Sequence, residues 1–423
     1  MSEIVQILSD IQKQAFDTIE HTHSNVLIMG QAGTGKSTFV NYLKSASNKR
    51  ILCACPTAVS ALNIGGQTIH SLFQIQPRDF IMPEFLKLKA KVRNILTATD
   101  VLIIDEISMV APDLLDAMDL LARQARHNNE PFGGIQIVAI GDLFQLPPVI
   151  TNDAKKYYVS EYDYENSYFF DSHVYKRSNF IRFSFDKVYR QNDGELLENL
   201  VRLRDGDISA LAFFNNCKIN DATRRQNAVL ITPYRAMAEN INASRLRAIP
   251  APEVVFTGVL DGNFSEKDVP APINLVLKVG ALVVFVKNGD KWHNGSMGRV
   301  LDIGSREIRV ELLNASHEVV SVKPEKWEKI EYIRDENDRL QEHEVGSYKQ
   351  FPLNLGYAMT IHKAQGKTLD TVVVDISRGA FAHGQTYVAL SRTRAACDMH
   401  IAALLNPKDV IFDKRVLDFM NAE

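Results

Sequence analysis

Residues 26–37 read Val26-Leu27-Ile28-Met29-Gly30-Gln31-Ala32-Gly33-Thr34-Gly35-Lys36-Ser37. The last eight fit the pattern G-x-x-x-x-G-K-[ST], and the four apolar residues before them fit a buried parallel strand. Thr38 and the apolar positions behind it can open the following helix. In a loop of this kind successive backbone amides wrap phosphates, the lysine reaches the outer ones, and the hydroxyl holds Mg²⁺. Gly33, Thr34, Gly35, Lys36, Ser37 and Thr38 are therefore the candidate nucleotide-binding residues, with Ser37 the candidate for the metal. A mere Gly-rich turn before a helix would not bring its own strand. The motif implies an NTPase and leaves open what the energy is used for.

Working outward, apolar runs at 26–29, 51–55, 101–104 and 135–140 alternate with longer amphipathic segments. That is the pattern of a mostly parallel sheet with helices on both faces, so the fold class is α/β. Ligands gather at the carboxyl ends of such strands. The run at 101–104 ends in Asp105-Glu106, where Asp105 suits Mg²⁺ and Glu106 can polarise an attacking water. The run at 135–140 leads into Gly141-Asp142-Leu143-Phe144-Gln145-Leu146-Pro147-Pro148, which places Gln145 to touch a terminal phosphate. Hydrolysis also needs positive charge beyond that phosphate. Tyr189-Arg190-Gln191 and Ala389-Leu390-Ser391-Arg392-Thr393-Arg394 offer it, and arginines from a second domain would couple bond cleavage to domain closure.

A second alternating unit is expected from near Phe180, with strands at 181–185, 228–232, 371–376 and 399–402. Between its second and third strands come short β-like runs at 274–286, 299–303, 307–312 and 319–322 with Gly and Asn turns, the texture of a small inserted barrel. Residues 74–95, with Pro77, Pro83 and the basic run at 87–93, read as an excursion from the core, either a wedge helix on nucleic acid or a solvated face.

Composition bounds the rest. The 423 residues are enough for two to four domains, and 45% hydrophobic residues allow real cores. With 48 basic and 51 acidic side chains the net charge is -3, which disfavours a histone-like coating protein and leaves room for a local basic groove. Cys53 and Cys55 share a strand face with no second pair to complete a zinc site, and read with Cys217 and Cys397 as buried apolar thiols in a reducing compartment. The N-terminus has no basic-then-apolar leader and no apolar stretch reaches membrane-spanning length, so a soluble intracellular protein without a membrane partner is expected.

These residues together resemble the superfamily-1B DNA helicases, most closely the Pif-one (petite integration frequency) type and more distantly the RecD type. Leu8-Ser9-Asp10-Ile11-Gln12 is similar to the family's Q motif, and 30–37 to motif I. Pro56-Thr57-Ala58 and Asn63-Ile64-Gly65-Gly66-Gln67-Thr68-Ile69-His70-Ser71 resemble its strand-binding region. Asp105-Glu106-Ile107-Ser108-Met109, residues 141–148 and Val188-Tyr189-Arg190-Gln191 resemble motifs II, III and IV. Lys287-Asn288 with Asn294-Gly295-Ser296-Met297-Gly298 is similar to the inserted barrel. Residues 357–370, containing Thr360-Ile361-His362-Lys363-Ala364-Gln365-Gly366, resemble motif V, and Tyr387-Val388-Ala389-Leu390-Ser391-Arg392 motif VI.

The resemblance implies two RecA-like motor domains, 1A at 1–73 and 96–179 and 2A at 180–256 and 351–423. It also implies a wedge insertion 1B at 74–95 and an SH3-like barrel 2B at 257–350. It implies ATP-driven movement 5′→3′ on single-stranded DNA and unwinding at junctions with duplex, with G-quadruplex DNA as a further substrate. ATP and Mg²⁺ are the implied cofactors. Lys36, Ser37 and Asp105 would hold MgATP, Gln12 would read adenine, and Gly366 would line the nucleotide. Glu106 would activate water, Gln145 would sense the phosphate, and Arg190 and Arg392 would stabilise the transition state, with Arg394 as a lesser partner. Thr57, Thr68, His70, Thr360, His362 and Lys363 would line the DNA path, and Phe73 and Trp292 are stacking candidates, Phe73 being equally at home in a core. With only about 30 residues after motif VI and without the long N-terminal region of eukaryotic relatives, a bacterial or phage-type core enzyme is expected, and with both motor domains in one chain a monomer. A translocase with weak unwinding and a nucleotide-gated binding module are the rival readings, and RNA as the track stays open.

Overall fold

The computed structural model describes residues 8–78, 80–189, 193–314, 317–337 and 339–422. The chain divides into two compact units. The first runs through Leu143 and adds Pro147–Val188 and Glu328–Gly346; the second takes Phe144–Leu146, Tyr189–Trp327 and the chain from Ser347.

In the first unit, six strands lie in the order β3-β2-β4-β5-β1-β6: β1 (Asn25–Gly30), β2 (Ile51–Cys55), β3 (Gln67–Thr68), β4 (Val101–Asp105), β5 (Gln136–Gly141) and β6 (Phe180–Phe185). Every neighbour pair is parallel. β1, β4 and β5 are apolar along nearly their whole length because helices cover both faces. Helix α1 (Asp10–His21) begins with a capping box between Ser9 and Gln12. Helix α2 (Lys36–Ala46) buries Phe39, Val40 and Leu43 on one stripe, against Val26, Ile28, Ile103, Val138 and Ile140 of the sheet. Further along come α3 (Ala58–Ile64), α4 (Ile69–Phe73), α5 (Ala90–Thr97), α6 (Pro112–Arg126) and α7 (Asn152–Glu161). Cys53, Cys55 and Cys217 are buried, as expected, whereas Cys397 is exposed; burial pushes the Cys53 thiol up to about 12 and raises that of Cys55, so neither is a ready nucleophile.

Two expectations are corrected here. The run at 181–185 does not start the second unit; it pairs with β1 at the edge of the first sheet. Its local pattern is that of a strand in either case, and only the long crossover before it brings it back beside β1. The excursion at 74–95 is also shorter than expected. Val92, Ile95 and Leu96 of α5 are buried, so that helix belongs to the core, and among the described residues between α4 and α5 the turn Pro83–Phe85 is the one regular element.

The second unit holds a four-stranded parallel sheet ordered β18-β7-β19-β20 and, between its strands, an antiparallel region. The strands after β6 run β7 (Val229–Thr232), β8 (Val254–Thr257), β9 (Val259–Gly262), β10 (Asn274–Leu277), β11 (Leu282–Phe285), β12 (Met297–Ile303), β13 (Ile308–Leu312), β14 (Val319–Val322), β15 (Glu325–Arg334), β16 (Leu340–Gln350), β17 (Leu353–Leu355), β18 (Ala358–Thr360), β19 (Val372–Val374) and β20 (Met399–Ile401), with most of β15 and β16 in the first unit. The expected run at 274–286 is two strands, broken where Gly280 takes a left-handed φ of 90°. Five strands, β14-β13-β12-β11-β17, form one antiparallel sheet over a core of Val283, Phe285, Val300, Val310 and Leu353. The helices of this unit include α8 (Gly194–Arg204), α9 (Arg235–Arg247), α10 (Ile361–Ala364), α11 (Gln385–Leu390) and α12 (Lys414–Asn421).

Residues 328–346, the tip of the β15–β16 hairpin, pack with the first unit. The Tyr332 hydroxyl accepts the Cys53 amide at 3.3 Å, the Tyr332 amide donates to Gln67 Oε1 at 3.4 Å, and Glu342 pairs with Lys44 at 3.2 Å. Glu331 pairs with Lys91. The hairpin thereby covers the β2 and β3 side of the sheet, an edge that would otherwise carry open backbone groups.

Candidate functional site

The loop after β1 has the geometry that phosphate binding needs. A Cβ on Gly30 would lie 2.6 Å from Thr34 Oγ1 and 3.0 Å from Phe185, so only glycine lets the strand turn there. Gly33 and Gly35 adopt φ of 85° and 83°, the left-handed region in which a side chain would be strained. The chain then enters α2 at Lys36, so Lys36, Ser37 and Thr38 open a helix whose free amides favour an anion. Lys36 Nζ donates to the carbonyls of Gly30 at 2.6 Å and Gln31 at 3.0 Å, which holds it inside the loop. The Thr34 hydroxyl donates to Gln31 O at 2.9 Å and is buried. Gln12 is buried too; its amide nitrogen donates to Thr34 O at 3.3 Å, and its oxygen accepts the Ser9 amide at 2.9 Å. The residue expected to read adenine thus props the loop from the start of α1.

Across the sheet, Asp105 ends β4 in register with Ile140 of β5. It is 8% exposed, and burial raises its carboxyl pKa, while the Glu106 amide (3.0 Å) and the Lys36 charge pull the other way. A carboxylate held this way gains from a nearby cation. Glu106 has φ 55° and ψ 44°, a left-handed conformation unusual for a non-glycine residue, and caps the turn Ile107–Met109. Strain of roughly 1–3 kcal/mol in such a position is maintained only where the surroundings enforce it. Here Gly141 packs so tightly on that turn that a Cβ would meet Ile107 Cγ2 at 2.9 Å. The donor set of Ser37 hydroxyl and Asp105 carboxylate is hard oxygen, which suits Mg²⁺ sharing its shell with phosphates and water. Groups of three or more metal-ligating side chains are absent among the described residues.

Three threonines expected on the DNA path share one placement. Thr57 follows β2, Thr68 ends β3 and Thr360 ends β18, and each caps the helix that follows by accepting the amide of Ser60, Ser71 or Lys363. Accepting the cap bond leaves each hydroxyl proton to a second partner, and that of Thr57 goes to Ser60 Oγ. His70 and His362 are the second residues of α4 and α10; desolvation lowers both pKa values, so both are neutral at pH 7 and can offer an N–H. Lys363 is exposed beside His362. Phe73, open between stacking and core, is 2% exposed and belongs to the core. Trp292 is stacked on Phe285 at 4.7 Å and pressed against Gly289, so it is packing rather than an open platform.

Motifs V and VI are knitted together within the second unit. Arg392 is fully buried: its Nε donates to Val388 O at 2.6 Å, and its terminal nitrogens reach Ala364 O at 3.2 Å, Lys367 O at 3.3 Å and Ser391 Oγ at 2.6 Å. The guanidinium expected at the γ-phosphate is therefore inside the unit here, whereas Arg394 is exposed. Arg190 lies outside the described residues. Gln145 is buried, and its carbonyl approaches Gly384, the residue that starts α11. A Cβ on Gly366, at φ 75°, would meet nothing within 4 Å.

The sequence offered no sign of two partners found here. A Cβ on Gly384, at φ 74°, would sit 2.4 Å from Gln145 O and 2.5 Å from Phe144 O. Gly384→Ala is expected to destabilise by more than about 2 kcal/mol, a fall of roughly 4–8 °C in Tm for a unit of this size, read by thermal melting. Lys367 Nζ donates to Asn294 Oδ1 at 2.7 Å, and burial with the Lys363 charge lowers its pKa to about 8. An unfolded lysine keeps its proton up to about 10.4. Between those values the unfolded chain binds more protons, so this lysine makes stability rise with pH from about 8 upward. Lys367→Met is expected to flatten that rise in denaturant titrations across the same window.

Among known proteins, the sequence profile described as PIF1-like helicase matches residues 7–212. The ATP-dependent DNA helicase Pif1 of Bdellovibrio bacteriovorus is 30% identical over 425 residues, covering 97% of this chain and 91% of its own length. The crystal structure of Bacteroides sp Pif1 in complex with ADP-AlF4 superposes with a TM-score of 0.88 at 32% identity, covering 98% of this chain and 96% of that one. Bacteroides Pif1 bound to ssDNA gives 0.68 at 33% identity, covering 97% and 96%.

Proposed function

Because the chain belongs to the PIF1-like family of ATP-dependent DNA helicases, we propose that it moves 5′→3′ along single-stranded DNA and opens duplex ahead of it. The observation that carries this reading is the pairing of a complete phosphate loop and Asp105-Glu106 in one sheet with threonine-capped helices at the ends of β2, β3 and β18. The first set suits hydrolysis; the second suits gripping phosphates without reading bases.

Lys36 and the amides of Gly33, Gly35, Ser37 and Thr38 would hold the ATP phosphates, with Gln12 on the adenine and Gly366 beside the nucleotide. Mg²⁺, held through Ser37 and Asp105, would supply charge neutralisation of the phosphates. Glu106 would take the proton of the attacking water, and Gln145 would respond to loss of the γ-phosphate. Arg190 and Arg392 would meet developing negative charge, which requires Arg392 to leave some of its carbonyl partners. Thr57, Thr68, His70, Thr360, His362 and Lys363 would hold the strand. The relative from Bacteroides bound to ssDNA supports single strands as the ligand, and their junctions with duplex follow from the helicase reading. The domain reading of 1A, 1B, 2A and 2B, with the five-stranded sheet as an SH3-like barrel, is part of this proposal, as are the monomeric state and action on G-quadruplexes. Bacterial relatives support a bacterial or phage origin and a cytoplasmic place. Among the described residues no helix is long and apolar enough to cross a membrane.

A second reading, a translocase that separates strands poorly, draws on the shortness of the excursion before α5. The test is unwinding of duplexes with a 5′ or a 3′ single-stranded tail, with ATP hydrolysis followed alongside. Opening of only the 5′-tailed substrate is expected. DNA-stimulated hydrolysis without opening would favour the translocase, and opening of the 3′-tailed substrate would overturn the direction.

A further inference from the structure

The excursion that follows α4 encloses a cavity of about 250 Å³ within the first unit. Phe73 and Leu121, 2% and 1% exposed, form its floor. Phe85, on the short turn before α5, lines it while remaining 63% exposed. Arg78, Lys87 and Lys89, all exposed, ring its mouth. A cavity of ~150 Å³ already admits a benzene ring, so this one has room for a bicyclic base. An apolar floor, an accessible aromatic face and a cationic mouth make the combination that takes an unstacked nucleobase and its flanking phosphates. The charge is local: residues 74–95 carry five basic and two acidic side chains in a chain of net charge -3. None of Thr57, Thr68, His70, Thr360, His362 and Lys363, the residues assigned to the tracked strand, lines the cavity. Thr68 and His70 stand at the N-terminal end of α4, whereas the cavity opens past its C-terminal end, at Phe73 and Gln74.

We propose that this cavity captures a nucleobase of the strand the motor does not track, as it leaves the duplex. Phe85 stacks on the base, and Arg78, Lys87 and Lys89 hold its phosphates. The site would stop the freed strand from re-annealing behind the junction. It rests on the helicase reading above.

The test uses the full chain and forked DNA whose non-tracked arm is either intact or abasic next to the junction, with binding followed by fluorescence anisotropy. ATP hydrolysis on plain single-stranded DNA is measured in parallel. The wild-type protein is expected to bind the intact fork roughly tenfold more tightly than the abasic one, the size of one base–aromatic stack. Phe85→Ala should abolish that preference and leave single-strand-stimulated hydrolysis unchanged. Lys87→Ala should weaken both forks alike. Equal binding of both forks by a wild-type protein that hydrolyses ATP on single strands overturns the cavity and leaves the helicase standing. Persistence of the preference in Phe85→Ala, or a preference that appears only when the tracked strand is abasic, also overturns it. Absence of any DNA-stimulated hydrolysis removes the helicase reading and this site with it.

Discussion

Lys36→Ala is expected to abolish ATP turnover and to weaken nucleotide binding by two orders of magnitude or more. Lys36 Nζ is already held over the loop by the carbonyls of Gly30 and Gln31, so it is positioned before nucleotide arrives. A charge-assisted contact to phosphate counts for more than a neutral one, and a fixed cation beside developing charge adds to it; together roughly 3–4 kcal/mol is a reasonable loss. Alanine also removes a donor from the carbonyls of Gly30 and Gln31. Arginine does not rescue the site, because its planar fork cannot replace a compact ammonium inside a closed loop. The measurement is titration with a fluorescent nucleotide together with DNA-stimulated hydrolysis. An unchanged dissociation constant would refute the role.

Glu106→Gln is the second large effect, and it should divide binding from chemistry. Glutamine keeps the size and shape of the side chain but has no carboxylate to accept a proton. General-base catalysis is worth about 10²–10⁴ in rate, so kcat should fall by that factor while ATP and DNA affinities persist. Near-normal turnover in single-turnover assays would exclude Glu106 as the base. The backbone supplies a control. At φ 55° this position suits glycine, so Glu106→Gly should relieve strain, equal or exceed the native Tm, and still be inactive. Stability and activity would then part at one residue, as expected where strain is maintained for function.

The contrast between these residues and others marks what could be read from the chain. The phosphate loop and Asp105-Glu106 are local: a strand, a turn and a charged end follow each other in sequence, so their chemistry was legible. β6 was misplaced because a strand's own pattern does not say which neighbour it pairs with, and its partner β1 lies some 150 residues earlier. The same holds for Lys367 and Asn294, and for Tyr332 and Cys53, brought together across long stretches of chain. Arg392 was recognisable from its motif, yet its burial among carbonyls depends on how α10 and α11 pack. Phe73 could equally be core or platform, and burial decided it.

The hairpin tip that packs on β2 and β3 has a consequence for biogenesis. It is part of the first unit, but a ribosome makes it only after most of the residues of the antiparallel region. At about 5–20 residues per second, the stretch from Val188 to Glu328 takes roughly 7–28 s to emerge. For that interval the nascent first unit presents an open sheet edge, with the Cys53 amide and Gln67 still awaiting Tyr332. Such an edge invites pairing with other chains. This protein should therefore depend on nascent-chain protection during synthesis, and fragments ending near residue 190 should aggregate while the whole chain does not.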